Sequence, residues 1–249
     1  MRALVVMPTY NERATLRRAV AGALADPRAD VLVVDDDSPD GTGDLAEQLA
    51  VAQPRIRVLH RGGKHGLGSA YRQGFGEGLD LGYDALVEMD ADLSHPADRL
   101  PALLDALDHA DLVIGSRYVT GGRVVGWPPS RLLLSRGGNA YVRACTGLPV
   151  QDASAGYRAY RRDLVETLDL STVASEGYAF QLEMTLRTWQ AGGRIAEVPI
   201  TFTERQEGTS KMSRRIIAEA LWRVGRWGWD IRTGARPGVP LERTSPSVS

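Results

Sequence analysis

Cysteine is almost absent from this chain of 249 residues. The single cysteine, Cys145, cannot form an internal disulfide, whereas secreted domains that lack a large core usually depend on several. The opening residues MRALVVMPTYNER reach charged side chains too early for a secretory signal peptide. Both features predict a cytoplasmic protein.

Long apolar runs are also missing. No stretch approaches the roughly 18 to 20 uninterrupted apolar residues that cross a bilayer, so we expect no membrane span, although the chain could still lie on a membrane surface. With 249 residues, 43% of them hydrophobic, and a formal net charge of −1, the chain is long enough for one large globular domain or two small ones, and we expect one. We expect no nucleic acid among its partners.

Glycine-rich phosphate loops are the third absence. Gly66 and Gly68 begin a dinucleotide-type fingerprint, but Tyr71 stands where the third glycine belongs. No Gly-Lys-Ser/Thr loop of the Walker type occurs either, which argues against an NTPase.

Short β-branched runs alternate with longer amphipathic stretches in the first half of the chain, and this alternation predicts β-α-β units. The predicted strands are residues 3–8, 31–36, 56–60, 85–90 and 111–116, and the predicted helices are residues 12–24, 43–52, 66–79 and 96–107. The last helix opens with Pro96, which a first helical turn tolerates. The pattern predicts an open, mostly parallel α/β sheet flanked by helices.

Ligands of such sheets bind beyond the carboxyl ends of the strands. That edge is predicted to hold Asn11 and Glu12 after the first strand, residues 35–37 after the second, Asp90 and Asp92 after the fourth, and Arg117 after the fifth. Like-charged carboxylates repel unless a cation or a proton separates them. Because the available ligands are hard oxygens, Mg²⁺ or Mn²⁺ is the expected ion, bridging the acidic rim to a phosphate group.

Six segments together carry a family resemblance. They are VVMPTYNE at 5–12, VVDDDSPDGT at 33–42, GLGSAYRQGF at 66–75, MDADLSHP at 89–96, GSRY at 115–118 and RQEGTSK at 205–211. In this order and spacing they resemble the family 2 glycosyltransferases, and more narrowly the polyprenol (dolichol) phosphate mannosyltransferases. The resemblance covers residues 3–213 and implies a GT-A fold, a nucleotide-sugar donor and inversion at the anomeric carbon.

The resemblance implies roles for the acidic residues. Asp90, Ala91 and Asp92 match the family's Asp-x-Asp motif, which implies metal binding by both aspartates and donor contact across the segment, with Asp92 catalytic. The alternative is an acidic turn at a helix N-terminus. Ser94 stands where glutamine is common, so a ligand is missing or replaced by water.

At the ends of the first two strands, the resemblance implies residues that bind the nucleoside of the donor. Pro8, Tyr10 and Glu12 resemble base or ribose contacts, and Asp36 or Asp37 resembles the hydrogen-bond acceptor for the nucleoside. The alternative for the second strand is that Asp37 and its neighbours only form a turn.

In the second half of the chain, the resemblance implies residues that bind phosphate groups and the acceptor. Arg117, Arg131, Arg205 and Lys211 resemble phosphate-binding positions, the first two being assigned as catalytic, and a solvated surface arginine is the alternative for Arg131. Arg131 and Ser135 lie four residues apart on a helix predicted to begin near Ser130, resembling a polyprenyl phosphate site, with a capped surface helix as the alternative. Asp152 could orient the acceptor or support a loop, and Ala155 stands where serine is usual.

A phosphate acceptor needs no general base, because it is already anionic near neutral pH. His95 is therefore interpreted as turn structure. The resemblance implies in-line transfer of mannose from GDP-mannose to a polyprenyl (dolichyl) phosphate. The alternatives are UDP-glucose as the donor, a glycan hydroxyl as the acceptor, or a protein that binds nucleotide sugar without catalysis.

A basic, tryptophan-rich helix follows the predicted catalytic domain, which spans residues 1–212. Residues 211–236 carry seven basic side chains against two acidic ones, and three of the five tryptophans lie between positions 222 and 229. An apolar arc on the helix of residues 213–236 contains Ile216, Ile217, Ala220, Leu221, Val224 and Trp227. Such a helix suits the inner face of an anionic membrane, while packing on its own domain or anchoring by a separate membrane protein are the alternatives. Residues 237–249 are predicted to be disordered.

Overall fold

A computed structural model describes residues 1–173, 175–204 and 214–234, without the side chains of residues 214–220. Within these residues the strands are β1 (Ala3–Thr9), β2 (Ala29–Asp35), β3 (Ile56–His60), β4 (Ala85–Glu88), β5 (Leu112–Ser116), β6 (Arg123–Val125), β7 (Arg158–Arg161), β8 (Ile195–Pro199) and β9 (Thr201–Thr203). The α-helices are α1 (Arg13–Ala23), α2 (Thr42–Ala52), α3 (Leu67–Asp80), α4 (Leu100–Ala106), α5 (Pro129–Thr146), α6 (Arg162–Thr167), α7 (Tyr178–Gln190) and α8 (Arg214–Arg232).

In the described part of the chain, seven strands form the main sheet in the order β3-β2-β1-β4-β7-β5-β8. Strand β1 pairs in parallel with β2 and β4, while β7 runs antiparallel between β4 and β5. Two antiparallel pairings restore the original direction, so the carboxyl ends of β1, β2, β4 and β5 share one edge. The predicted open, mostly parallel sheet is confirmed.

Helices cover both faces of the sheet, which explains why the strands contain nearly continuous apolar runs. Along β1, Leu4 and Val6 enter one buried cluster, and Val5 and Met7 enter the other. This alternation follows from the two-residue period of a strand. Strands β2 and β3 follow β1 on one side of the sheet, and β4 lies on the other side of β1. The strand order therefore reverses between β1 and β4, and ligands of open α/β sheets bind at such a point.

The helix predicted from Pro96 begins later than expected. A 3-10 turn occupies Ala97–Arg99, and α4 starts at Leu100 with Pro101 in its first turn. Proline has no N–H to donate and its ring clashes with the preceding turn, so Pro101 can stand only near the start of an α-helix. A helix running from Pro96 would have placed Pro101 in its interior.

Helix α8 packs on α5 through glycines. A side chain at Gly228 would meet the backbone oxygen of Cys145 at 2.5 Å, and one at Gly225 would meet the Tyr141 hydroxyl at 3.0 Å. Val224 and Trp227 are buried and Leu221 is 40% exposed, so only part of the described apolar arc packs on its own domain. In the described residues, no helix is long and apolar enough to cross a membrane. The predicted tail at 237–249 and the predicted boundary at residue 212 lie outside the described residues.

Candidate active site

A cavity of about 300 Å³ opens at the carboxyl ends of β1, β2, β4 and β5. The edge of the sheet brings together residues from distant parts of the sequence. The predicted site residues that line the cavity are Pro8, Tyr10, Glu12, Asp36, Asp90, Ala91, Asp92, Arg117 and Arg131. Among the described residues, Asp37, Ser135 and Asp152 do not line it, and Arg205 and Lys211 lie outside those residues.

The acidic pair occupies a constrained loop after β4. Asp92 is buried, and its Oδ1 accepts the backbone N–H of Ser94 at 3.0 Å. Asp90 is more exposed, and its Oδ1 accepts the Tyr71 hydroxyl at 3.2 Å. Leu93, between Asp92 and Ser94, has a φ of 65°, a backbone angle that residues other than glycine rarely adopt. Both carboxylates face the cavity from this tight turn.

The donor set fits part of a divalent-ion site. Among the described residues, no cluster of three or more His, Cys, Asp or Glu side chains is placed to hold a metal. Proteins nevertheless commonly bind Mg²⁺ through only one or two carboxylates, and water and substrate phosphates supply its other ligands. Asp90 and Asp92 could supply two such carboxylates. The buried Ser94 hydroxyl lines the same cavity, and none of the described hydrogen bonds involves it. This hydroxyl adds a polar atom to the cavity lining.

The second strand presents Asp36 rather than Asp37 to the cavity. Asp36 is buried and lines it, whereas Asp37 is exposed with a φ of 58° in the turn. Burial raises the pKa of Asp36, and the Arg61 guanidinium, whose NH1 lies 2.9 Å from Asp36 Oδ1, opposes that rise. The geometry therefore favours Asp36 as the nucleoside contact.

Arg117 is not a free cation in the described structure. Its Nε and NH2 donate to Asp152 at 2.7 and 2.6 Å, and its backbone N–H donates to the same carboxylate at 3.0 Å. Burial opposes the charge of Arg117, but the Asp152 carboxylate outweighs this effect and raises the pKa of the guanidinium. Asp152 is completely buried, so it supports Arg117 from behind instead of meeting an acceptor directly.

Arg131 also has an acidic partner. Its NH1 donates to both carboxylate oxygens of Glu204 at 2.7 and 2.8 Å, and its guanidinium lies 4.1 Å from the ring centroid of Trp127. Helix α5 begins one residue before the predicted Ser130. Ser135 lies outside the cavity lining and accepts the Tyr118 hydroxyl at 2.6 Å. The two predicted acceptor residues share a helix but not the cavity.

Several site residues have no signal in the sequence analysis. Arg61 and Glu204 meet the predicted residues Asp36 and Arg131 only in the folded chain, and Trp127, four residues before Arg131, stacks against its guanidinium. A charged residue inside an apolar strand is a sequence signal that could have pointed to further site residues, and Glu88 at the end of β4 is an example. Burial raises the pKa of Glu88 to about 7, against the opposing effect of Arg158. Gln181, which lines the cavity, donates to Glu88.

Comparisons with solved structures show the fold family of the chain. The mannosyltransferase PcManGT of Pyrobaculum calidifontis, solved with GDP-Man and Mn²⁺, matches at 18% identity with a TM-score of 0.57, covering 94% of this chain and 73% of that one. S. aureus TarS 1-349 with UDP matches at 16% identity with a TM-score of 0.60, covering 92% and 66%. The fold is that of the GT-A glycosyltransferases, as predicted.

The chain belongs to glycosyl transferase family 2, whose model matches residues 4–169. It is 55% identical over 234 residues to the undecaprenyl-phosphate mannosyltransferase of Micrococcus luteus, covering 93% of this chain and 96% of that protein. It is 54% identical over 241 residues to the polyprenol monophosphomannose synthase of Mycolicibacterium smegmatis, covering 96% and 91%. The predicted family and enzyme class, a glycosyltransferase, are thereby confirmed.

Proposed function

We propose that this enzyme transfers mannose from GDP-mannose to a polyprenyl phosphate, with inversion at the anomeric carbon. The observation that carries the proposal is that one cavity joins an acidic side, with Asp90 and Asp92, to a cationic side, with Arg117 and Arg131. A nucleoside diphosphate held through a cation suits the first side, and an anionic acceptor suits the second. The names of the two relatives above 50% identity support mannose and a polyprenyl phosphate.

The residues would share the work of a single in-line displacement. Asp90 and Asp92 would hold Mg²⁺ or Mn²⁺, which supplies charge neutralisation for the leaving diphosphate. Asp36 would accept hydrogen bonds from the nucleoside, near Pro8, Tyr10 and Glu12. Arg131 would hold the acceptor phosphate, which attacks as an anion and needs no proton removed. Arg205 and Lys211 remain predicted phosphate contacts from the segment outside the described residues.

The acceptor side continues into a surface suited to a membrane. Trp222 and Trp229, which lie two turns apart on α8, are 64% and 68% exposed. Leu133 and Leu134 are 74% and 50% exposed on α5, close in sequence to Arg131. Aromatic side chains among arginines favour the interface of an anionic bilayer. We propose that the enzyme works at the inner face of the membrane, on the reducing side, where a single unpaired cysteine is ordinary.

A panel of donors and acceptors tests the proposal. Purified protein is supplied with GDP-mannose, UDP-glucose or other nucleotide sugars, each with a polyprenyl phosphate or a glycan hydroxyl acceptor, and the lipid product is measured. GDP-mannose with the phosphate acceptor should give the fastest transfer, and only when Mg²⁺ or Mn²⁺ is present. Equal turnover of UDP-glucose, or full activity in excess chelator, would contradict the assignment of donor or metal.

A further inference from the structure

His95 borders the acidic side of the cavity and is only 4% exposed. Its Nδ1 accepts the backbone N–H of Asp90 at 2.9 Å. Because Nδ1 is the acceptor of this bond, the ring proton lies on Nε2. The same ring edge faces the Asp90 side chain, with Nε2 3.9 Å from Oδ2. One imidazole therefore borders both the backbone and the carboxylate of Asp90.

Aromatic neighbours hold the imidazole in place. The Tyr157 ring stacks on His95 with centroids 5.1 Å apart and an interplanar angle of 9°. The Phe202 ring meets His95 edge to face at 6.0 Å. Stacked and edge-to-face pairs at these separations are attractive beyond the area that they bury. The ring cannot turn away from Asp90 without breaking both contacts.

The loop that carries the two aspartates needs such a fixed point. Leu93 adopts a left-handed conformation, which costs about 1 to 3 kcal/mol for a residue with a side chain and persists only when its surroundings enforce it. Asp92 is fixed inside the loop by the Ser94 N–H. For Asp90, the Tyr71 hydroxyl holds Oδ1, and the bond to His95 holds the backbone.

We propose that His95 is a positioning residue for the divalent ion, holding the Asp90 backbone so that its carboxylate meets the ion together with Asp92. This inference rests on the proposed function, since it takes the two aspartates as the metal ligands. The hydrogen bond explains why an imidazole stands where a hydrophobic ring would pack equally well. Groups that orient metal ligands typically contribute about 10-fold to 100-fold to metal affinity.

Two substitutions separate positioning from packing. His95→Phe keeps a ring that can stack on Tyr157 but removes the acceptor. His95→Asn loses the ring but keeps an oxygen bonded to Cγ, where Nδ1 is bonded in histidine. If His95 only packs, His95→Phe should be the milder change. If it positions Asp90, His95→Asn should bind the ion more tightly than His95→Phe.

The measurement is the dissociation constant of Mn²⁺, followed by the electron paramagnetic resonance of the free ion, in the presence of GDP. We expect His95→Phe to weaken Mn²⁺ binding by about 10-fold to 100-fold, and His95→Asn to recover most of that loss. At saturating Mn²⁺, kcat of His95→Phe should approach the wild-type value, because only the affinity for the ion has changed. Tyr157→Phe keeps the stacked ring and should bind Mn²⁺ as the wild type does.

Unfolding of each variant is followed by circular dichroism, so that a loss of fold is separated from a loss of ion binding. Equal Mn²⁺ affinity in wild type and His95→Phe would overturn the positioning role. So would tighter binding by His95→Phe than by His95→Asn, or equal losses in both. If the wild type itself binds no Mn²⁺ with GDP, the proposed metal site fails, and the inference fails with it.

Discussion

The two sides of the cavity are built in different ways. On the acidic side, Asp36, Asp90 and Asp92 follow directly after strands β2 and β4. On the cationic side, Arg117 and Arg131 each bind a carboxylate that is remote in sequence, Asp152 and Glu204. The acidic side therefore takes its charges from residues that the strand ends place directly, while the cationic side holds its charges in ion pairs with residues from distant parts of the chain.

This difference assigns different tasks to the two sides. Neighbouring carboxylates at Asp90 and Asp92 repel each other, and their free energy falls when a cation binds. A buried arginine cannot remain unpaired without a large desolvation cost, so Arg117 depends on Asp152 to keep its charge in place. A bound cation is thus expected to relieve the repulsion on the acidic side, whereas on the cationic side protein carboxylates already offset the charge of the arginines.

Removing one carboxylate from the acidic side should have the largest effect. Asp92→Asn keeps the shape of the side chain and its contact with the Ser94 N–H, but it removes the charge that we propose holds the ion. We expect transfer to fall by at least about 100-fold, because electrostatic stabilisation of the leaving group is commonly worth that much. Initial rates over a range of Mn²⁺ concentrations provide the measurement.

Asp108→Asn is the matched control for Asp92→Asn, because Asp108 is an exposed carboxylate beyond the end of α4. It should retain wild-type activity. Asp92→Asn should also unfold cooperatively near the wild-type midpoint. Wild-type turnover by Asp92→Asn in excess chelator would show that the acidic side does not work through a metal.

On the cationic side, removing a carboxylate should mainly lower the free energy of unfolding. Asp152→Asn leaves the buried Arg117 guanidinium without its counter-charge, and breaking a buried ion pair from one side costs about 3 to 5 kcal/mol. The free energy of unfolding, measured with urea, should fall by that amount. Activity of the remaining folded enzyme should also fall, because Arg117 lines the cavity.

A double replacement distinguishes the structural role of the pair from its functional role. Arg117→Met with Asp152→Leu removes both charges, and such apolar replacements often restore or exceed the original stability. We expect recovery of most of the unfolding free energy without recovery of transfer. If transfer recovered with stability, the pair would serve the fold alone.

The fold was largely predictable because its signals are local. Strand β3 matches the prediction at both ends, and β1 and β5 differ by a single residue at one end. The antiparallel β7 was not predicted, because the pairing direction of a strand depends on the path of the chain and not on its own residues. The start of α4 was misplaced because Pro101, deeper in the sequence, and not Pro96, sets the limit.

The candidate site divides along the same line. Aspartates directly behind strand ends could be assigned to the cavity from the sequence, because the carboxyl ends of parallel strands meet at one edge. Glu204 could not be, since only the folded chain brings it to Arg131 from 73 residues away. The apolar arc of α8 was interpreted as suited to a membrane surface, with packing on its own domain as the alternative. Val224 and Trp227 of the arc are buried in the domain, while Trp222 and Trp229 outside the arc are exposed.

The exposed tryptophans test whether the acceptor side extends to the membrane. Trp222→Ser with Trp229→Ser should reduce transfer to a polyprenyl phosphate in anionic vesicles by about tenfold, because the two rings would no longer make apolar contact with the bilayer. Transfer to a short, water-soluble prenyl phosphate should stay near wild type. Trp227 is buried, and Trp227→Ser is the matched control that should depress both rates through folding.

Equal losses on the two acceptors would assign Trp222 and Trp229 to ordinary packing. Vesicle sedimentation gives an independent measurement. Each basic residue near an anionic surface contributes about 1 kcal/mol, so binding of the wild type should weaken with salt without disappearing. No binding to anionic vesicles at low salt would leave membrane attachment to a separate protein.

The smallest effect is expected where the neutralising partner is most accessible. The side chains of Arg131 and Glu204 are 25% and 32% exposed, and ion pairs of this kind contribute at most about 1 kcal/mol. If Arg131 holds the acceptor phosphate as proposed, the phosphate must compete with Glu204 for the Arg131 guanidinium. Glu204→Gln should therefore lower the KM for a soluble prenyl phosphate by up to about fivefold, with little change in kcat. Arg131→Met should instead raise that KM, and Glu166→Gln, which breaks a surface pair with Arg162, should change neither constant. A higher KM in Glu204→Gln would mean that the carboxylate orients Arg131 for the phosphate and does not compete with it, and the cationic side would then depend on its protein partner even while a ligand is bound.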